Sequence, residues 1–201
     1  MTHLILVRHG ETDWNTQHRF QGQTDVPLNY TGREQAVRLA GRLTHEHIDA
    51  VYSSDLERAV ETADIVTAHR PIDVRQDSRL RELSFGAFEG LLYSEIKERF
   101  PAELAAWERD RSIPPPGGES LAQLVTRVQN ALAEITARHA SDRVMIVGHG
   151  GPLRVLLCLI MGLPPEQQWQ FRLEPTSWSE IGLYETGAIL SRLNDTCHLH
   201  H

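Results

Sequence analysis

Arg143-Val144-Met145-Ile146-Val147-Gly148-His149-Gly150-Gly151-Pro152 is the stretch from which the fold is read. Residues 143–147 read as a buried strand, because Val144 to Val147 form a short apolar run, β-branched in part and closed by glycine. Pro152, at a first-turn position, opens a helix that Gly162 can close. A strand that runs into a helix across a glycine-flanked histidine is one βα unit of an α/β domain.

The pattern repeats outward from there. Ser120 with Gln123 caps a long helix to about residue 139, whose stripe is Leu121, Leu124, Val125, Val128, Leu132 and Ile135. Residues 181–184 and 189–193 alternate and predict a terminal hairpin around Thr186-Gly187. Toward the N-terminus, residues 3–8 read as a buried strand. Thr31 and Glu34 form a capping box for a helix over 31–46, and 50–53 is a second strand. Asp55 can cap a helix through about 68, and 72–75 suggests an edge strand. A helix over 93–109 is interrupted at Pro101, and Pro114-Pro115-Pro116-Gly117-Gly118 forms a rigid loop. Alternating strands and helices predict an α/β three-layer sandwich, with a mostly parallel central sheet flanked by helices on both faces. The expected organisation is a single domain over 1–201 with about 85–120 as a helical cap-like insertion. Residues 194–201 are expected as a tail, with His198, His200 and His201 partly an expression scar.

Composition narrows the function classes. The chain has 201 residues, enough to bury a substantial core without disulfides or metals. A formal net charge of −7 argues against a nucleic-acid partner and, more weakly, against an anionic membrane. The longest apolar run, 155–163, has the length of a core helix rather than a membrane span. Lys97 is the only lysine, so a phosphate or carboxylate site must rely on arginine forks and histidines. Cys158 and Cys197 are too few for a disulfide framework; Cys158 reads as core, and the expected compartment is the reducing cytoplasm. The first residues lack the pattern of a signal peptide. His45, His47, His69 and His139 lie near helix ends and are expected to be solvated. No zinc-ligand spacing occurs, so no metal and no cofactor are expected.

Two histidines stand where strands end. His9 follows the first strand and His149 follows the 143–147 strand, the end of an α/β sheet at which ligands bind. Neighbouring glycines allow close backbone approach, and a helix start offers free N–H donors. Arg8 beside His9 suits a phosphate. Either histidine alone could be a satisfied core residue; the pair, with Arg8 and both glycine contexts, favours a site.

Leu6-Val7-Arg8-His9-Gly10-Glu11-Thr12-Asp13-Trp14-Asn15 resembles the signature of the histidine phosphatase superfamily, the phosphoglycerate-mutase-like family. Four further stretches match in order: Tyr52-Ser53-Ser54-Asp55-Leu56-Glu57-Arg58-Ala59, Leu80-Arg81-Glu82-Leu83-Ser84-Phe85-Gly86-Ala87-Phe88-Glu89-Gly90, Pro116-Gly117-Gly118-Glu119-Ser120 and Val147-Gly148-His149-Gly150. The resemblance spans essentially the whole chain. It implies that His9 is the nucleophile, forming a phosphohistidine, and that Arg8 and Arg58 grip the phosphoryl oxygens and hold the pKa of His9 down. It implies that His149 donates to the same oxygens, with Asn15, Gln21, Thr12 and the Gly150 N–H as further phosphate contacts. Glu82 becomes the general acid and then the base, which requires a partly buried carboxyl. Phe85 is expected either at the pocket wall, where it would suit a less polar leaving group, or in simple packing.

Hydrolysis of a small phosphorylated metabolite is the expected reaction, of phosphoserine, α-ribazole phosphate or phosphoglycerate type. The chain is compact, and Arg109 and Arg111 are not the adjacent arginine pair of the mutases. The alternatives are a cofactor-dependent phosphoglycerate mutase, a protein phosphatase, and a non-catalytic phospho-ligand binding protein. A homodimer is common in this family, although no stretch of the sequence locates an interface.

Overall fold

The computed structural model describes residues 1–200, so His201 of the expected tail lies outside the described residues. Six strands form one sheet: β1 (Thr2–Arg8), β2 (Ala50–Ser53), β3 (Val74–Gln76), β4 (Arg143–Gly148), β5 (Trp178–Tyr184) and β6 (Gly187–Asp195). Their order is β3-β2-β4-β1-β5-β6. The first four run parallel, while β5 pairs antiparallel with β1 and β6 antiparallel with β5.

The helices are α1 (Asp13–Thr16), α2 (Tyr30–Leu43), α3 (Glu57–Thr67), α4 (Tyr93–Arg99), α5 (Pro101–Arg109), α6 (Leu121–Arg138) and α7 (Gly150–Met161). Side chains of a strand alternate between faces, and the core divides accordingly. Ile5, Val7, Val51, Met145 and Val147 pack with Leu39 and Leu43 of α2 and Ala59 and Ala63 of α3. Leu4, Leu6, Tyr52, Val144 and Ile146 pack with Leu124 and Val128 of α6 and Leu153 and Leu156 of α7. The predicted layering is therefore present. The neighbours β1 and β4 send their chains to opposite faces, β1 toward α2 and β4 into α7. That divergence opens a crevice beyond their carboxyl ends.

Several local expectations need correction. Asn29, not Thr31, caps α2, accepting from the Gly32 N–H at 2.8 Å. Asp55 does not cap α3; it holds the Arg81 guanidinium at 2.7 and 2.6 Å. The Glu57 N–H at that helix start is taken by the distant Asp25 at 2.8 Å. His139 is buried rather than solvated, with Nδ1 2.7 Å from Asp142 Oδ2 and Nε2 3.1 Å from the Tyr52 hydroxyl. The expected tail is built into the fold: Asn194 and Asp195 belong to β6, and His198 is buried in a 3₁₀ turn over Cys197–Leu199 that packs on α2. Ser120 and Gln123 form their capping box, Pro101 starts α5, and Gly162 closes α7 at φ 68°.

Residues between β3 and α6 carry a smaller cluster of their own, Phe88, Ile96, Leu104 and Trp107, against which Phe20 and Phe85 pack. It stands over the crevice. On the other side, α2 approaches the loop after β1 so closely that a Cβ on Gly32 would lie 2.1 Å from the Glu11 carbonyl oxygen. Gly32→Ala is therefore expected to cost about 1–3 kcal/mol of stability, although alanine is the better helix former. Urea denaturation reads the loss; an unchanged midpoint would show that the loop yields freely.

Candidate active site

The β1–β4 ladder ends with the His9 N–H donating to the Gly148 carbonyl at 2.9 Å. The two histidines thus emerge side by side, with ring centroids 5.0 Å apart and planes tilted by 59°. Both rings are buried. His9 Nδ1 lies 2.6 Å from the Gly10 carbonyl. A carbonyl only accepts, so Nδ1 carries the proton and Nε2 keeps its lone pair. The backbone of the nucleophile loop is clamped as well. The Thr176 N–H donates to the Arg8 and His9 carbonyls at 3.0 and 3.2 Å, and the Gly10 N–H donates to Thr62 Oγ1 at 3.1 Å. Thr176 does this at φ 53°, a costly conformation for a β-branched residue, which the two carbonyls hold in place.

Arg58 is completely buried on α3. Its Nη1 and Nη2 donate to the Thr24 and Gly22 carbonyls at 2.8 and 2.7 Å, and its Nε points at His149 Nδ1, 3.2 Å away. The loop carrying those carbonyls is tied by Glu89, which accepts from the Gln23, Thr24 and Phe85 N–H groups at 3.1, 2.9 and 2.9 Å. Arg8 donates to the Leu173 carbonyl at 2.6 Å, and its buried Nε has no partner among the described residues.

Glu82 is partly buried, and its carboxylate accepts from the Gly151 N–H at the start of α7, 3.0 Å away, and from its own neighbour Leu83 N–H at 2.8 Å. A Cβ on Gly151 would sit 2.3 Å from Glu82 Oε1, so the glycine makes room for the carboxylate. Arg127 supports the same turn, donating to the Arg79, Arg81 and Glu82 carbonyls at 2.7, 2.6 and 2.9 Å while Glu119 holds its guanidinium.

The remaining expected contacts divide. Asn15, Gln21 and Phe85 line a cavity of about 470 Å³ together with Glu82. Thr12 does not; it is fully buried, caps α1, and bonds Asn15 and Gln21. Gln21 with its amide nitrogen toward Thr12 Oγ1 places its oxygen 2.9 Å from Arg58 Nε and 3.1 Å from Nη1, so it orients that arginine. Phe85 both lines the cavity and stacks edge-on to Phe20 and Trp107, at 5.2 and 6.0 Å. Gly150 opens α7 beside His149.

Sequence reasoning did not single out Ser54, Thr176, Arg127 or Arg154. Arg154 has a buried, unpartnered Nε among the described residues and lies 5.4 Å from the centroid of the Trp169 ring. Only Glu119, within a matched motif, gave a hint of the Arg127 brace.

The electrostatics depart from expectation in one respect. The pKa of His9 lies well below its ordinary value chiefly because the ring is buried, and then because of Arg58 and Arg8. His149 is lowered in the same way by burial first, then Arg58. Burial also brings Arg58 down to about 10. Both rings are thus neutral in the folded state at pH values where an exposed histidine starts to charge. The unfolded chain binds more protons there, since its histidines titrate near pH ~6.5. The stability from these two groups is fully present above that pH and is lost as pH falls toward their folded values. Thermal midpoints are expected to drop from about pH 6.5 to 5, before carboxylates titrate, and less steeply in His149→Asn. Equal slopes in both proteins would contradict this.

Comparison with known proteins adds the family. Residues 4–196 match the model of the histidine phosphatase superfamily, branch 1. The chain is 36% identical over 200 residues to phosphoserine phosphatase 1 of Hydrogenobacter thermophilus, covering 99% of this chain and 95% of that protein. It is 44% identical over 157 residues to phosphoglycerate mutase-like protein 4 of Arabidopsis thaliana, covering 76% and 68% respectively. The α-ribazole phosphatase structure from Shigella flexneri superposes with a TM-score of 0.92 at 32% identity, covering 96% of each chain.

Proposed function

The chain belongs to the histidine phosphatase superfamily, branch 1, and from that premise we propose that it hydrolyses small phosphomonoesters through a phosphohistidine on His9. The observation that carries the mechanism is the state of His9: neutral, its Nδ1 proton committed to Gly10, its Nε2 lone pair free beside Arg8 and Arg58. In the first step Nε2 forms the N–P bond as the P–O bond to the leaving group breaks, and Glu82 gives that oxygen its proton. In the second, Glu82 takes a proton from water, whose oxygen bonds to phosphorus as the N–P bond breaks; the electron pair returns to His9 Nε2 and phosphate leaves. Arg8, Arg58, His149, Asn15 and the Gly150 N–H at the start of α7 balance charge on the phosphoryl oxygens. Thr12 and Gln21 act one step back, by holding Asn15 and Arg58.

The wall of the cavity bears on the leaving group. Trp14, Phe20, Phe85, Tyr93, Trp107 and Trp169 line it. The Arg111 guanidinium rests 3.6 Å from the Trp107 ring centroid and 5.7 Å from that of Trp169, without an ion pair among the described residues. The aromatic wall supports a leaving group with an apolar body, as in α-ribazole phosphate, and Arg111 supports one with an anionic end, as in phosphoserine; the names of the relatives include phosphatases of both types. Independence from metals is proposed because two arginines and a helix start already supply the positive charge. No three His, Cys, Asp or Glu side chains gather as ligands among the described residues. A cytoplasmic setting fits the free thiols of Cys158 and Cys197.

The test is phosphate release from phosphoserine, α-ribazole phosphate, 3-phosphoglycerate and an aryl phosphate, each with chelator present. Release is expected from all, with one of the metabolites fastest. Interconversion of phosphoglycerates without release would make the chain a mutase, and turnover lost to chelator would end the metal-free reading.

A further inference from the structure

Ser54 makes a contact that the mechanism above leaves unused. It follows β2, where its N–H donates to the Val147 carbonyl at 3.0 Å, and it is completely buried. Its Oγ lies 2.9 Å from His149 Nε2 and accepts from the Leu56 N–H at 3.3 Å. The other ring nitrogen, Nδ1, receives the Arg58 Nε–H across 3.2 Å.

A guanidinium only donates. In this arrangement His149 therefore keeps its lone pair on Nδ1 and its proton on Nε2, given to Ser54. Such a ring has no donor to offer a phosphoryl oxygen. To donate, it needs the proton on Nδ1 and an acceptor lone pair on Nε2. Carrying both protons is disfavoured in a buried ring beside Arg58 and Arg8. A serine hydroxyl matches either state by turning: it accepts from Nε2–H or donates its own O–H to Nε2. Arg58 can follow the same change, because the Gln21 oxygen already stands 2.9 Å from its Nε, shares that N–H with His149 Nδ1, and can hold it alone.

We propose that Ser54 is a positioning residue that sets the tautomer of His149: with a phosphoryl group bound, its O–H donates to Nε2, and the ring proton stands on Nδ1, facing the phosphoryl oxygens. Gln21 completes the exchange by accepting the Arg58 Nε–H. The inference rests on the phosphohistidine reading for its catalytic meaning, but the tautomer itself can be observed without turnover.

The experiment is ¹⁵N-histidine NMR of the full chain with and without inorganic phosphate, alongside kinetics on an aryl phosphate. In the wild type, phosphate is expected to shift His149 from Nε2–H to Nδ1–H. In Ser54→Ala the shift is lost and kcat falls about tenfold or more, with a smaller change in KM. Ser54→Thr, which keeps the hydroxyl, restores the Nδ1–H signal and most of kcat. Ser54→Cys, close in size with a weaker donor, falls between and guards against a packing defect in the alanine variant. A wild type that stays Nε2–H with phosphate bound overturns the proposal. So does a Ser54→Ala variant that keeps both the Nδ1–H signal and wild-type kcat, or a wild type that binds no phosphate. A wild type that hydrolyses no ester yet shows the shift defeats the phosphatase reading alone.

Discussion

His9→Ala abolishes phosphomonoester turnover, with an expected loss on the order of 10⁴-fold or more. The size follows from the role. Without the imidazole no N–P bond forms, and Glu82, set to protonate a leaving group and activate a water, has no intermediate to hydrolyse. The arginines and His149 stay in place, so binding of phosphate is expected to persist while chemistry stops. The fold should survive, because the loop is held by backbone contacts: His9 N–H to Gly148, Thr176 N–H to the Arg8 and His9 carbonyls, and Gly10 N–H to Thr62. Two measurements check this together: phosphate release, and acid trapping of ³²P on the protein. A variant that still acquires label, or keeps a tenth of wild-type turnover, would place the nucleophile elsewhere. Loss of both with an intact melting curve is the expected outcome.

Arg58→Lys is expected to reduce kcat/KM by about 10²–10³-fold, although the formal charge is kept. Arg58 uses its Nη1 and Nη2 on the Thr24 and Gly22 carbonyls and its Nε on the His149 side of the site. A lysine is a single point donor on a flexible stem and cannot serve those carbonyls and a phosphoryl oxygen together. It would also lose its proton more readily than the guanidinium when buried. The carbonyls left unpaired should lower stability by about 2 kcal/mol or more. Steady-state kinetics with thermal melts read both effects. Near-wild-type kcat/KM would mean that Arg58 is a strut for the Gly22–Thr24 loop and nothing more.

Much of this site was legible in the sequence because its main residues sit at strand ends next to glycines. A four-residue apolar run that stops at Gly-His-Gly reports both a strand and the place where it ends. Glu82 and Arg58 were found through the resemblance, not through periodicity. The supporting contacts were not legible, because each joins residues far apart along the chain. Ser54 reads as one of two serines at the end of a strand until β4 brings His149 beside it. Asp55 has the right chemistry for a helix cap, and only the presence of Arg81 diverts it. Asp25, which takes the α3 N–H instead, is 32 residues from Glu57. Thr176 carries no local mark of its left-handed backbone. Alternation identified the last two strands but says nothing of direction, so the antiparallel joining of β5 to β1 had to come from the structure.

The position of β1 has a consequence for how this protein is made. It is synthesised before the other five strands of the sheet, yet its two neighbours there are β4 and β5. Residues 2–8 have no strand partner until residues 143–148 and 178–184 have been synthesised. The apolar segment Leu4-Ile5-Leu6-Val7 must therefore wait unpaired while more than a hundred further residues are added. Contacts of such long sequence separation slow folding and expose an aggregation-prone strand in the interval. Expression yield should respond more sharply to holding chaperones and to growth temperature than to the stability of the finished domain. The crevice that holds both histidines cannot form by the same topology until β4 has been made, so a nascent chain gains its phosphate site only after residues 143–151 have been synthesised.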